Sequence, residues 1–161
     1  MILTIYMGMF LVLACIDMGI KQYIEDTVEG DEERETMISG VVLRKVYNKG
    51  FAFNLLERAP GIIRKSSVCA AAGILLYDCW LFSRKKRAVG KLGMTLVSAG
   101  AASNLYDRLF RKKVVDYIGI RSEKKRLSDL TANLADIYIT AGAVLTVLSR
   151  MAHKKRRVKE K

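Results

Sequence analysis

The chain has 161 residues, a length that favours one domain, and it combines 51% hydrophobic residues with a formal net charge of +12. This mixture indicates that apolar and charged segments are separated along the sequence. A soluble helical bundle is disfavoured, because it would need four helices that are apolar on nearly every side in so short a chain.

Four apolar segments are long enough to compete for the roughly 20 residues with which a helix spans a bilayer. They cover about residues 2–20, 66–82, 89–105 and 134–151. We therefore predict an all-α integral membrane protein in which residues 1–161 form one domain with four transmembrane helices. The outer loops would then be residues 25–65 and 109–132, and residues 153–161 would form a basic cytoplasmic tail.

The first outer loop divides into an acidic part and an apolar part. The acidic block EDTVEGDEERE, residues 25–35, has almost no large apolar side chain, so we expect it to be mobile and outside any catalytic framework. Residues 36–56 are rich in β-branched and aromatic side chains and contain a turn signal at Asn48-Lys49-Gly50. A small extracytoplasmic β-element between spans one and two is predicted there.

Basic residues predict the orientation in the membrane. SRKKR at residues 83–87 and HKKRRVKEK at residues 153–161 are short basic segments that the positive-inside rule places in the cytoplasm. Four spans then bring both termini inside. The third connection also contains basic residues, at 111–113 and 123–126, and by parity it must be outside, where these charges would meet lipid headgroups.

Polar side chains inside or beside the spans gather at one leaflet if this topology holds. An ionisable residue at the centre of a membrane helix costs roughly 2.5–3.5 kcal/mol on insertion scales, so each one needs a reason. The predicted outer cluster comprises Asp17, Lys21, Asn104, Asp107, Arg108, Asp116, Asn133 and Asp136. The sequence offers no set of metal ligands, since its single histidine is His153 in the basic tail.

Several members of this cluster have an ordinary structural explanation. Asp17 and Lys21 are four residues apart and could form a pair on one helical face, and Asn133 could be the N-cap of the fourth helix. These explanations remain open at this point for each residue taken singly.

Asp116 and Asp136 are harder to explain in that way. Val114, Val115 and Tyr117 give Asp116 an apolar setting, and Asp136 lies within an apolar helix. Two carboxylates held close together at low dielectric cannot both ionise cheaply, so the pair shares a proton. Aspartic proteases use this arrangement, in which the ionised member activates water and the protonated member hydrogen-bonds the carbonyl oxygen.

Five motifs follow one another along the chain: DMGIK at 17–21, NKGFAF at 48–53, GAASNLYDR at 100–108, VVDY at 114–117 and NLAD at 133–136. In this order they resemble the motifs of the bacterial lipoprotein signal peptidases, the signal peptidase II family. Each motif is weak alone, but together they cover nearly all of the chain. Two positions depart from the family pattern: Ser103 stands where glycine is usual, and Ala132 where an aromatic residue is usual.

The resemblance implies an aspartic endopeptidase with Asp116 and Asp136 as the catalytic pair. It also implies that eight further residues bind substrate or shape the site: Asp17, Lys21, Asn48, Gly50, Asn104, Asp107, Arg108 and Asn133. The implied substrate is a prolipoprotein whose cysteine carries diacylglycerol, cut just before that cysteine. No cofactor is implied. We expect membrane lipids as the other partners, no nucleic acid, a monomer, and a bacterial cell membrane location with the active site at the outer leaflet.

A second function of a different class remains open from the sequence. A four-span relative with altered chemistry could bind lipoprotein precursors or anionic lipids through its basic faces without cleaving them. The paired carboxylates favour the enzyme over this binding protein.

Overall fold

The structure, a computed structural model, describes residues 2–30, 32–50, 59–85, 87–123 and 130–159, apart from the side chains of residues 60 and 154–159. The predicted elements or motifs at 51–56, 124–126 and 160–161 lie outside these described residues. Within them the chain forms helices and a small sheet in the following order. The elements are α1 (Ile2–Thr27), β1 (Glu33–Glu35), β2 (Val41–Asn48), α2 (Pro60–Phe82), α3 (Ala88–Tyr106), a π-helical turn (Asp107–Arg111), β3 (Val114–Ile120), β4 (Thr131–Ala132) and α4 (Leu134–Lys159).

Three helices of the described residues are long and apolar enough to cross a membrane, at Ile2–Thr27, Gly61–Phe82 and Leu134–His153. This confirms a helical membrane fold, but the fourth predicted span, at 89–105, is not confirmed. Its residues do form a helix, α3, which packs against α1, α2 and α4. Helix α3 turns Thr95, Ser103 and Asn104 towards its neighbours, and such polar residues lower its hydropathy.

The sheet extends beyond the predicted β-element. Its four strands lie in the order β1-β2-β3-β4 and all neighbours are antiparallel. Strands β3 and β4 come from the connection predicted at 109–132, so the prediction of a β-element between spans one and two alone was incomplete. The two connections meet because β2 pairs with β3, with Val46 opposite Asp116 and Asn48 opposite Val114.

The acidic block, described at 25–30 and 32–35, contains regular structure, which our expectation of a mobile segment did not include. Its first residues complete α1, and Glu33–Glu35 form strand β1. Glu33 pairs with Arg44 of β2 and with Arg121, at N–O distances of 3.3 and 3.5 Å. Opposite charges across the sheet therefore order a segment whose composition alone indicated disorder.

Helix α1 contributes one polar stripe to the interior. Its buried residues Ala14, Asp17, Lys21 and Ile24 are three or four positions apart, so they share a single helical face. Most of the other side chains between Ile2 and Ile20 are apolar, and many of them are exposed, as expected for a surface in contact with lipid. The stripe faces α3 and β3, which carry the other polar side chains of the interior.

Helices α3 and α4 pack so closely that glycine is required where they cross. A Cβ atom added to Gly142 would collide with the carbonyl oxygen of Gly93, and one added to Gly100 would collide with that of Ala135. Small residues allow such close approach between membrane helices. Because Ala135 precedes Asp136, the contact at Gly100 sets the position of that carboxylate relative to α3.

We expect Gly100→Ala to push α4 away from α3 and to destabilise the protein by about 1–3 kcal/mol, the usual cost of overpacking. Thermal unfolding of the purified protein in detergent measures the change. Gly73→Ala in α2 is the matched control, since a Cβ atom there would have no neighbour within 4 Å. Equal melting temperatures for the two variants would contradict the proposed close contact.

Candidate active site

Asp116 is held on strand β3 by two side-chain amides. It is 2% exposed, and its Oδ2 accepts a hydrogen bond from Asn48 Nδ2 at 3.1 Å while its Oδ1 accepts one from Asn133 Nδ2 at 2.7 Å. Asn48 ends β2 two residues beyond Val46, the residue paired with Asp116, so it lies on the same face of the sheet. The antiparallel pairing of β2 with β3, which belong to two different connections between helices, therefore creates one half of the site.

Asp136 is held in the first turn of α4. Asn133 precedes the helix, and its side-chain Oδ1 accepts a hydrogen bond from the Asp136 backbone at 3.0 Å. In return, the Asn133 backbone N–H donates to Asp136 Oδ2 at 3.1 Å. This reciprocal pair has the geometry of a capping box, which satisfies backbone donors that a helix start leaves without partners. The other oxygen of this carboxylate, Oδ1, accepts a hydrogen bond from Asn104 Nδ2 of α3 at 2.9 Å.

Asn133 therefore contacts both aspartates at once. Its side-chain amide donates to Asp116 and its backbone N–H donates to Asp136. Together with Asn48 and Asn104, it supplies one hydrogen bond to each of the four carboxylate oxygens. Each carboxylate oxygen has two lone pairs, so one hydrogen bond does not saturate it.

The orientation of each of the three asparagine amides is fixed by a donor on its oxygen. Asn48 Oδ1 accepts from Gly50 N at 2.9 Å, and Asn104 Oδ1 accepts from Lys21 Nζ at 2.7 Å. The Asn133 oxygen accepts from the Asp136 backbone, as described above. Because these oxygens are occupied, all three NH₂ groups must point at the carboxylates. The site is therefore a set of pre-oriented donors around two acids.

The surroundings raise the pKa of Asp116 to about 6, from an ordinary value of 3.8. Burial is the largest cause, and the negative charge of Asp136 acts in the same direction. Hydrogen bonds from Asn48 and Asn133, and the charge of Lys21, oppose the shift. A carboxyl group with such a pKa can both hold and release a proton near neutral pH, as general acid–base catalysis requires.

Lys21 lies beneath this site with no exposure to solvent. Its Nζ is 2.8 Å from Asp17 Oδ2 and 3.0 Å from Asp107 Oδ2, in addition to its hydrogen bond with Asn104. Asp107 also pairs with Arg111 at 3.2 Å. Two acids and two bases thus balance in charge inside the protein, and a buried ionic network of this kind holds its members in one geometry when every partner is present.

Arg108 follows Asp107 in the π-helical turn that ends α3. Its guanidinium interacts electrostatically with Asp136, Asp116 and Asp107. Single π-helical turns occur often at functional sites, since the extra residue changes the direction of the side chains that follow. This turn places Asp107 inside and Arg108 beside the two aspartates.

The structure thus brings the predicted site residues together at one end of the helices. Their roles in binding and catalysis stay predictions, but their positions are now defined. Two side chains of this cluster were not predicted to take part. Ser103 Oγ donates to Asp17 Oδ2 at 2.5 Å, and Tyr117 Oη donates to Asp17 Oδ1 at 3.0 Å. Their signal in the sequence was a hydroxyl group in an otherwise apolar stretch beside a predicted site residue.

The signal peptidase (SPase) II family matches residues 9–152. The chain belongs to the signal peptidase II family. Among curated proteins, the lipoprotein signal peptidase of Fusobacterium nucleatum is 32% identical over 156 residues, which cover 96% of this chain and 92% of that protein. The lipoprotein signal peptidase of Sinorhizobium fredii is 30% identical over 150 residues, covering 92% and 88% of the two chains.

Solved structures of two bacterial membrane enzymes have the same fold as this signal peptidase II family member. One, determined by the in meso method at 2.3 Å resolution, superposes with a TM-score of 0.80 at 19% identity and covers 95% of this chain and 91% of its own. The other, determined at 1.9 Å resolution, gives a TM-score of 0.74 at 20% identity, with 91% and 92% covered. Since both structures are at most 20% identical to this chain, the superposition shows that the fold is shared.

Proposed function

We propose that Asp116 and Asp136 are the catalytic pair of an aspartic endopeptidase that removes signal peptides from prolipoproteins. Membership of the signal peptidase II family makes the chain a protease of lipoprotein processing in a bacterial membrane. The catalytic type and the residues that perform the reaction are our proposal. The observation that carries it is Asn133, which donates to both carboxylates and so holds them at one point.

The two acids have different surroundings, which assigns them different tasks. Burial and the neighbouring negative charge favour a proton on Asp116. Asp136 lies in the first turn of α4, where the positive end of the helix dipole stabilises a negative charge. Asp116 is therefore assigned the proton in the resting site, and Asp136 is assigned the role of the base.

Hydrolysis then follows from these states. Asp136 takes a proton from water as the water oxygen attacks the carbonyl carbon of the scissile bond, and Asp116 gives its proton to the carbonyl oxygen. When the tetrahedral intermediate collapses, the carbon–nitrogen bond breaks. The proton held by Asp136 moves to the leaving nitrogen, and Asp116 regains its own. Both acids end as they began, so the site needs no further reactant.

The proposed substrate is a membrane-anchored prolipoprotein whose cysteine carries diacylglycerol. Two homologues of this chain bear the name lipoprotein signal peptidase, and they match nearly its whole length. The scissile bond would be the one just before the lipidated cysteine. The test is a gel-shift assay with purified protein in detergent micelles, in which the lipidated precursor is shortened and the same precursor without its lipid is not. An unchanged lipidated precursor would contradict the proposal.

The alternative, a binding protein without catalysis, finds no support in the site. A binding protein needs no carboxylate of raised pKa, and it needs no amide donors aimed at both acids. The two departures from the family pattern, Ser103 and Ala132, leave the pair and its donors in place: Ser103 contacts Asp17 and Lys21, and Ala132 pairs with Ile118 in the sheet.

We further propose that the catalytic end of the protein faces outwards and the basic end faces the cytoplasm. Tyr6 Oη donates to the carbonyl oxygen of Ala88, and its ring packs edge-on against Phe82, so the start of α1 lies beside the basic link between α2 and α3. Trp80 lies there too, with the guanidinium carbons of Arg84 and Arg87 at 5.2 and 5.1 Å from its ring centre. Tryptophan and arginine are typical of the membrane interface, and clustered basic residues favour its cytoplasmic side.

Reporter fusions test this orientation. A cytoplasmic reporter joined after Lys161 should be active, whereas a cysteine introduced at Gly30, in the turn after α1, should react with a membrane-impermeant thiol reagent in intact cells. A Cys-free background removes the signal from the three natural cysteines, which are exposed on the surface of the helices. If the reporter joined after Lys161 were found outside the cell, the proposed outward position of the active site would be wrong.

A further inference from the structure

We propose that the Tyr117 hydroxyl is a positioning group for the catalytic pair, because it ties the start of α4, which carries Asp136, to strand β3, which carries Asp116. This inference rests on the proposed function of the two aspartates. Tyr117 does not contact either carboxylate, so its effect on the reaction passes through the backbone that presents them.

The hydroxyl has one partner on each side. Tyr117 is 3% exposed; its Oη donates to Asp17 Oδ1 at 3.0 Å and accepts from the backbone N–H of Leu134 at 3.0 Å. Burial, followed by the nearby charge of Asp17, raises the pKa of Tyr117 above its ordinary value. The group therefore keeps its proton at physiological pH, and a neutral phenol can donate and accept at the same time.

The N–H of Leu134 belongs to the first residue of α4, where backbone donors lack partners within the helix. The next donor, Ala135 N, reaches Asp17 Oδ1 at 3.1 Å, and Asp136 N reaches Asn133 Oδ1. Three successive amides are thus bound by side chains of β3, of α1 and of the residue before the helix. The direction in which Asp136 enters the site depends on all three.

The tie through Tyr117 is independent of the tie through Asn133. Adjacent residues of a strand point to opposite faces, so Tyr117 and Asp116 leave β3 on different sides. Asn133 joins the two aspartates directly on one side, and the Tyr117 hydroxyl joins their backbones on the other. With only one of these attachments α4 could tilt about it. With both, the first turn of α4 is fixed against the strand.

The ring and the hydroxyl of Tyr117 have different roles: the ring contributes to packing, and the hydroxyl makes the hydrogen bonds. It packs in a buried cluster with Ile24, Val28 and Val115. Phenylalanine would fill the same space, so Tyr117→Phe removes the two hydrogen bonds and keeps the packing. Asp17 would retain donors from Lys21, Ser103 and the Ala135 backbone.

Tyr117→Phe should lower kcat by up to roughly 100-fold, because small displacements of a reacting group have effects of that size, and it should leave KM nearly unchanged. A second readout is the pH profile of kcat/KM. The charges that act on Asp116 come from Asp136 on α4, Lys21 on α1 and Arg108 on the π-helical turn. If α4 moves away, burial and the Asp136 charge act less strongly, so the limb set by Asp116 should move to lower pH.

The matched control is Tyr106→Phe, since Tyr106 is 39% exposed and its ring packs at a tilt against that of Phe110. If Tyr117→Phe does not fold, Leu134→Pro removes the other half of the same hydrogen bond, and proline is well tolerated at the first position of a helix. Unchanged kcat and pH profile in the folded variant, with only a lower melting temperature, would overturn the inference. An inactive wild-type protein would instead refute the proposed function.

Discussion

Asp116→Asn and Asp136→Asn should each reduce the rate of precursor cleavage by a factor on the order of 10² to 10⁴, the usual contribution of one general acid–base group. Asparagine keeps the size of the side chain but removes the proton that the mechanism transfers. At Asp116 it also meets amide donors whose orientation is fixed, since Asn48 and Asn133 have their oxygens occupied by Gly50 N and Asp136 N. Single-turnover cleavage by purified, detergent-solubilised variants gives the rates.

The two losses should not multiply, because members of one catalytic unit fail together. The double variant is therefore expected to be about as slow as the slower single variant. Asp26→Asn is a suitable control, since this carboxylate accepts a hydrogen bond from Gln22 on the surface of α1. Near-normal cleavage by either folded single variant would refute the aspartic mechanism.

Lys21→Met should destabilise the protein by roughly 3–5 kcal/mol, the cost of removing one partner from a buried ionic network. The change leaves Asp17 and Asp107 buried without the cation that they share, while Arg111 still contacts Asp107 at 3.2 Å. It also frees the oxygen of Asn104, whose amide then no longer has a fixed orientation towards Asp136. Thermal unfolding in detergent measures the loss.

Lys113→Met provides the comparison for this prediction. Lys113 pairs with Glu25 at 3.2 Å, but both side chains are 28% exposed, and such pairs contribute about 0–1 kcal/mol. The two variants remove the same charge at different depths. If their melting temperatures fell by the same amount, the account of Lys21 as the central cation of the interior would be wrong.

The proximity of Asp116 and Asp136, the proposed catalytic pair, could be predicted because it depends on the order of the helices. Successive helices of alternating direction bring the end of α3 and the start of α4 to the same end of the protein, and a carboxylate in an apolar segment needs a functional reason. Asn133 was open to two explanations from the sequence. The structure shows that it serves both, as the cap of α4 and as a donor to Asp116.

Other features depend on partners that are distant in the sequence and could not be read from it. The pair Asp17–Lys21 looks like a local surface pair, yet further partners of Lys21, namely Ser103, Asn104 and Asp107, come from more than 80 residues away. The pairing of β2 with β3 likewise depends on a register between two separate connections. Composition alone also did not predict strand β1 in the acidic block, because the arginines that pair with its glutamates, Arg44 and Arg121, lie elsewhere in the chain.

Helix α3 shows a different limit of prediction from sequence, which concerns the use of hydropathy to identify membrane spans. Its sequence is apolar enough to suggest a span, but polar and small residues line the faces that contact α1 and α4. A helix surrounded by other helices needs fewer apolar residues than one that faces lipid, so hydropathy alone does not define its place. The site residues on α3 follow from this central position.

The proposed cleavage by Asp116 and Asp136 can be followed by mass spectrometry of the products from a diacylglyceryl-modified precursor. The precursor is treated in parallel with the wild-type protein and with the Asp116→Asn, Asp136→Asn double variant. We expect the wild type to release a signal peptide with a free carboxyl end and a protein that begins with the lipidated cysteine, and the double variant to leave the precursor intact. The same products from the double variant, or a wild-type cut at another bond, would contradict this proposal.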